Sequence, residues 1–182
     1  PDMVIGLIAG GDHALRNAVE FSEDDTKQGW KDLIEAGITK KDALVGIAAS
    51  GRTPYVIGAL QRARDLGLTT ASISCNENAP ISQLADYPIE IITGPEYLTG
   101  STRLKAGTGQ KLVLNMISTA IMIRMGRVKG NRMVDMQLSN KKLVDRGVDI
   151  LVEELSIDRK DAERLLLKYK SVREAISGFK TV

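Results

Sequence analysis

The chain has 182 residues, 43% of them hydrophobic and 26% charged, with a net charge of +2 at neutral pH. This suits one medium-sized domain, or a main domain with a small appendage, and permits a sizeable core. Basic and acidic residues are interspersed and aromatics make up only 4%, which argues against a nucleic-acid surface, and the lone Cys75 excludes an internal disulfide.

The pattern begins with Met3-Val4-Ile5-Gly6-Leu7-Ile8-Ala9-Gly10-Gly11, which reads as a fully buried parallel strand. Nothing precedes it to pair with, so the chain reads as the later part of something longer. Asp12 can cap a helix that carries Ala14, Leu15, Ala18 and Val19 on one face. Ser22 and Asp25 form a capping box for a second helix, which turns Trp30, Leu33 and Ile34 inward and stops at Gly37. A second strand, Ala43 to Ala49, passes through a loop at Ser50 into a helix burying Val56, Ile57, Leu60 and Ala63. Further strands are expected at Leu68 to Cys75 and Ile89 to Ile92, with a short helix at Ile81 to Ala85 between them. Strands alternating with helices predict an α/β fold, a parallel sheet covered by helices.

A loop dense in glycine, hydroxyls and cations, Thr93 to Thr108, then opens a long helix from Gln110 to about Met125. Its apolar residues wrap most of the circumference, which predicts burial in the domain or in a subunit interface. Gly126 to Val134 is a connection. Three short amphipathic helices follow, one carrying Leu143, Val144, Val148 and Leu151, one capped by Asp158, and one opened by the capping box Ser171-Val172-Arg173-Glu174. We expect residues 1–134 to form the main domain and 135–182 a C-terminal helical bundle.

Ligands of open parallel sheets bind at the carboxyl ends of the strands. Three features converge there: Gly10-Gly11, the Ser50-Gly51-Arg52-Thr53 loop, and the loop carrying Glu96, Ser101, Arg103 and Lys105. The Ser50 loop offers hydroxyls, backbone N–H groups and a helix start to an anion, and it fits equally well as an ordinary strand-to-helix turn with Pro54 at the first helical position. Arg103 and Lys105 suit substrate binding, a partner subunit, or plain exposure. Among Glu20, Glu23, Asp24 and Asp25, solvated capping chemistry is the plain reading. Glu23 stands apart because the expected first helical turn favours its carboxylate. His13 has no companion histidine or cysteine nearby to suggest zinc, and Ser50 has no histidine–aspartate partners for nucleophilic attack.

The segments Val4-Ile5-Gly6-Leu7-Ile8-Ala9-Gly10-Gly11, Ala18-Val19-Glu20 with Glu23-Asp24, Val45 to Val56 through Ser50-Gly51-Arg52-Thr53-Pro54-Tyr55, Thr99 to Thr108, and Gly130-Asn131-Arg132-Met133-Val134-Asp135 closely resemble the N-acetylmuramic acid 6-phosphate etherases. The resemblance implies a sugar isomerase (SIS) fold with a tail similar to a ubiquitin-associated domain. It also implies a cytoplasmic homodimer of cell-wall recycling that binds a phosphosugar, engages neither nucleic acid nor membrane, and needs no metal or organic cofactor. The implied reaction releases D-lactate from N-acetylmuramic acid 6-phosphate and leaves N-acetylglucosamine 6-phosphate. Glu23 matches the family's base, and Ser50, Gly51, Arg52 and Thr53 match its phosphosugar-binding segment. The family's second catalytic glutamate lies in an earlier segment that this sequence does not contain, so the expectation is that this chain alone is inactive. A sugar-phosphate sensor similar to the glucokinase regulatory protein and an aldose–ketose isomerase of the same fold are the competing expectations.

Overall fold

The computed structural model describes residues 3–179. Pro1, Asp2 and Lys180–Val182, and with them the expected continuation before Pro1, lie outside the described residues. The chain divides into two compact units, Pro1–Leu114 and Asn115–Val182.

In the first unit a parallel sheet of β1 (Ala43–Ile47), β2 (Thr69–Ser74) and β3 (Tyr87–Glu90) runs in the order β1-β2-β3. Each crossover is helical, through α2 (Pro54–Asp65) and α3 (Pro80–Gln83), while α1 (Gln28–Glu35) precedes β1. In register, Val45 lies beside Ala71 and Ile47 beside Ile73, which in turn lies beside Ile89. The opposite face of β1 carries Gly46 against Leu60 and Val56 of α2. Leu60 and Ile81 are fully buried and form a small core with Ala48 and Ala79. Full burial of a side chain the size of Leu60 contributes roughly 2 kcal/mol, so α2 is the helix that fixes the sheet.

The buried Thr70 of β2 is answered by the carboxylate of Asp86. The Thr70 N–H and hydroxyl both donate to its Oδ2, at 2.9 and 3.0 Å. Hydrogen bonds from the Thr70 backbone and then its hydroxyl hold the Asp86 carboxyl below its ordinary value. This carboxylate therefore stays charged and ties the start of β2 to the loop before β3.

The second unit gathers α5 (Lys141–Leu155), α6 (Arg159–Tyr169) and α7 (Val172–Phe179) around Val148, Leu151, Ala162, Leu166, Val172 and Ala175. Asp158 Oδ1 accepts from Asp161 N at 2.8 Å, the cap expected from sequence, and Asn140 Oδ1, not singled out there, accepts from Leu143 N at 3.0 Å. A short antiparallel hairpin of β4 (Val128–Lys129) and β5 (Arg132–Met133) precedes the helices. It is pinned to α5 by the ion pairs Lys129–Glu154 and Arg132–Glu153. Asp135 accepts from Arg173 Nε at 2.7 Å and Nη2 at 2.8 Å, which locks the hairpin's exit to α7.

Several expectations from sequence fail. Met3 to Gly11 is not a strand: among the described residues it has no ladder partner, and Met3, Val4, Ile5, Leu7 and Ile8 are exposed. A strand exists only through its pairing, so an apolar run without a neighbour stays irregular. The helix expected from Asp12 shrinks to a 3-10 turn, Asp12–Leu15. Ser22 caps nothing; its hydroxyl donates to Val19 O at 2.8 Å, and α1 starts later, where Asp25 Oδ1 accepts from Lys27 N and Gln28 N. Ile34 is exposed rather than inward. The long helix α4 (Lys105–Arg124) begins five residues earlier than expected and has only Ala106 buried, while Leu112, Met116 and Ile123 are exposed, so the expected all-round burial does not appear.

Candidate functional site

The site is built at the carboxyl edge of the sheet. β1 ends at Ile47, and the chain turns through Ser50 into α2. Gly51 makes that turn possible for two reasons: its φ is +68°, and a Cβ there would lie 2.4 Å from that of Ala79. The loop is clamped on both sides, Cys75 N donating to Ala49 O at 2.9 Å and Ile81 N to Gly51 O at 3.2 Å. Asn76 Nδ2 adds a third bond, to Ala49 O at 3.0 Å. The result is a rigid loop with its hydroxyls presented outward: Ser50 is exposed, and the Thr53 side chain caps no backbone group.

Its anion-binding capacity is narrower than the sequence suggested. Arg52 N already donates to Ser50 Oγ at 3.2 Å, Pro54 has no N–H, and Tyr55 N donates to Glu23 O at 3.0 Å. The hydroxyls of Ser50 and Thr53 and the exposed Arg52 side chain remain to meet a ligand.

That last backbone bond brings the base candidate to the loop. Glu23 precedes α1 by five residues, and its carbonyl is held at the first turn of α2, two residues beyond Thr53. The Glu23 residue is exposed, so its carboxylate is open to a ligand. The bracing continues along the segment. A Cβ on Gly58 would stand 1.7 Å from Thr26 O, and one on Gly29 2.5 Å from Tyr55 O, so only glycines allow this approach of segment 23–29 to α2. Farther along, the buried Tyr55 hydroxyl donates to Asp32 Oδ2 at 2.6 Å, and Gln28 Nε2 donates to Asp32 Oδ1 at 2.6 Å. Burial, then the hydrogen bond and charge of Asp32, push the Tyr55 phenol well above its usual range. Tyr55 and Asp32 were missed in the sequence; the two glycines were the available sign of close packing.

The third sequence candidate, the loop between β3 and α4, joins the same edge. Cys75, at the end of β2, directs its thiol to Ala106 O at 3.7 Å, so the first turn of α4 sits over that edge. Burial, with the Glu96 charge second, raises the Cys75 thiol, which is inert packing. Glu96 caps α4: its Oε2 accepts from Lys105 N at 2.9 Å and its Oε1 from Ala106 N at 2.8 Å. Those two backbone bonds, Ala106 first, hold its carboxyl below the ordinary value. Arg103 and Lys105 are exposed and form no ion pair among the described residues, and Ser101 is half-buried.

A cavity of about 700 Å³ is lined by Gly10, Gly11, Glu20, Asp25 and Asp32 among others, and not by Glu23 or Ser50 to Thr53. Its carboxylates, Glu20, Asp25 and Asp32 among them, disfavour a phosphate there.

Comparison with known proteins now bears on this geometry. A family described as the glucokinase regulatory protein N-terminal SIS domain matches residues 2–64. The chain is 62% identical over 180 residues to an N-acetylmuramic acid 6-phosphate etherase of Christiangramia forsetii, covering 99% of this chain and 66% of that protein. It is 58% identical over 180 residues to the etherase of Bacteroides fragilis, covering 99% and 64%. The chain belongs to the N-acetylmuramic acid 6-phosphate etherase family. It spans about two thirds of the length of these curated relatives, and 60% of an Exiguobacterium etherase to which it is 57% identical over 97% of its own length. Within this etherase-family chain, the stretch shared with the SIS family holds Glu23, α1, β1, the Ser50 loop and nearly all of α2. Base candidate and anion loop thus fall in a single matched unit.

Proposed function

We propose that this protein cleaves the D-lactyl ether of N-acetylmuramic acid 6-phosphate as a carbon–oxygen lyase of the hydro-lyase class. It acts in the cytoplasm, as a homodimer, in cell-wall recycling. The observation that carries the reading is the Tyr55 N to Glu23 O bond, which holds a carboxylate-bearing residue beside the loop suited to a phosphate. In the opened sugar the C2 proton lies next to an aldehyde. Glu23 removes it, the C2–H electron pair forms a C2–C3 double bond, and the C3–O bond breaks so that lactate leaves with its oxygen. Water then adds across that double bond, its hydroxyl to C3 and its proton to C2, which gives N-acetylglucosamine 6-phosphate. The acid that protonates lactate belongs, on the family resemblance, to a segment outside this chain. Ser50, Gly51, Arg52 and Thr53 hold the phosphate, so that C2 is presented to the base. Arg103 and Lys105 supply further positive charge or face the second subunit. Glu96 and Ser101 shape that loop.

The match to the glucokinase regulatory protein domain supports a second reading, a sensor that binds sugar phosphate without chemistry. The deciding experiment supplies N-acetylmuramic acid 6-phosphate to the full-length protein and follows D-lactate. We expect release, and a fall of about a hundredfold or more in Glu23→Gln with binding retained. Binding without lactate release in the wild type establishes the sensor.

A further inference from the structure

We propose that Tyr55 and Asp32 are positioning residues for Glu23, setting the reach of the base relative to the phosphate loop through α2. The inference rests on the etherase reading above. Glu23 sits on an irregular segment, and no side-chain partner of its carboxylate is among the described hydrogen bonds and ion pairs. Its position therefore depends on what fastens the segment from 23 to 32. Among the described residues, four contacts tie it to α2: the Tyr55 N–H to Glu23 O, Thr26 against Gly58, Gly29 against the Tyr55 backbone, and the Tyr55 hydroxyl to Asp32.

Tyr55 appears at three of these four points, using its N–H, its carbonyl and its hydroxyl. It stands two residues after Thr53, so one residue joins the anion loop to the base segment. The hydroxyl bond is the distal brace. Asp32 is fixed in turn by Gln28 on its other oxygen, which leaves the tyrosine a single geometry to meet. Releasing the brace frees α1 to shift on α2, and the shift is passed back over a short segment to Glu23. The phosphate loop is spared, because its own clamps run to Cys75, Asn76 and Ile81. A positioning role therefore lowers kcat and leaves KM alone.

The test uses the full-length enzyme with N-acetylmuramic acid 6-phosphate, measuring lactate release and exchange of the C2 hydrogen with solvent deuterium. We expect Tyr55→Phe and Asp32→Ala to lower kcat by about ten- to a hundredfold, with KM changed less than twofold. Asp32→Asn keeps an oxygen to accept from the tyrosine and recovers most of that loss. In a Glu23→Gln background, Tyr55→Phe produces no further fall, since the residue acts through the missing base. Wild-type kcat in Tyr55→Phe and Asp32→Ala, a rise in KM alone, or an undiminished further fall in the Glu23→Gln background overturns the proposal. Glu23→Gln at full rate overturns the etherase reading itself, whatever Tyr55→Phe does. A melting scan of each variant accompanies the kinetics; slowed turnover that tracks lost folded protein, with unchanged kcat per folded molecule, also refutes positioning.

Discussion

Gly58→Ala inverts a general expectation. An alanine inside a helix is normally better than glycine by about 1 kcal/mol, because glycine spends more backbone entropy on folding. Gly58 is inside α2, yet its Cβ would stand 1.7 Å from the carbonyl oxygen of Thr26. Real Cβ atoms essentially never come within 3.0 Å of such a neighbour, so the backbone at Thr26 must withdraw by about 1.3 Å. The obstacle is backbone and has no rotamer to escape into. Forced shifts of this kind cost about 1–3 kcal/mol, and a displacement of this size in backbone belongs at the upper end, above the helix-propensity gain. The net loss is then up to about 2 kcal/mol, and for a chain of this size the melting temperature falls by up to roughly 8 °C. Gly107→Ala is the matched control, since a Cβ there meets only Thr102 O at 3.4 Å; it should be neutral or stabilising. Because Thr26 lies three residues from Glu23, lactate release at a temperature where Gly58→Ala is still folded should also fall. A Gly58→Ala protein that melts at or above the wild-type temperature refutes the close crossing from which the placement of Glu23 was argued.

Three further outcomes follow from the same geometry. Leu60→Ala removes a fully buried side chain under the sheet and should cost about 2–5 kcal/mol, read as a lower denaturation midpoint at unchanged slope. Asp86 and Glu96 both titrate below their ordinary values of 3.8 and 4.5, so their contribution is complete above those values and is lost as pH falls through the lower folded-state values; melting temperature should be flat near neutrality, drop in acid, and drop less steeply in Glu96→Gln. Asp135→Asn should loosen the second unit by about 1 kcal/mol, because a two-pronged charged bond to Arg173 becomes a neutral one, and hydrogen exchange should rise in α7 before α6.

The parts of the fold legible in the sequence are those whose signal is local. Pro54 opens α2, Asp158 caps α6, and β1 and β2 stand out as β-rich runs next to turn signals. The failures share a different cause. Met3 to Gly11 has the composition of a buried strand, but composition cannot supply the neighbouring strand that pairing requires. The Ser22 capping box was chemically sound and lost to Asp25, whose carboxylate takes two N–H groups at once. The hairpin of β4 and β5 went unread although Gly130-Asn131 is a turn pair between two short runs; strands of two residues are too brief for alternation to register. At the site, the turn at Ser50 was visible in outline, whereas the first helical turn for which Glu23 was singled out does not form, because α1 starts only at Gln28. The Tyr55–Asp32 bond was not, since it joins residues 23 apart on two helices and depends on two glycines whose purpose appears only when the helices meet.

The shared stretch from residue 2 to 64 contains both the loop at Ser50 and the segment that carries Glu23. Holding a phosphate at the end of β1 asks for a small hydroxyl loop that is clamped from behind, and the bonds from Cys75, Asn76 and Ile81 provide this without any contribution from Glu23. Removing a C2 proton asks for something more: a carboxylate at a fixed distance from the phosphate, on a segment that by itself has no regular structure. The extra machinery is the crossing of α1 on α2, which spends two glycines and a buried tyrosine–aspartate bond to bring residue 23 to the start of the helix that leaves the loop. All of that bracing lies within the stretch matched by the SIS family model, so lactate release, and not the bracing by itself, separates the two readings.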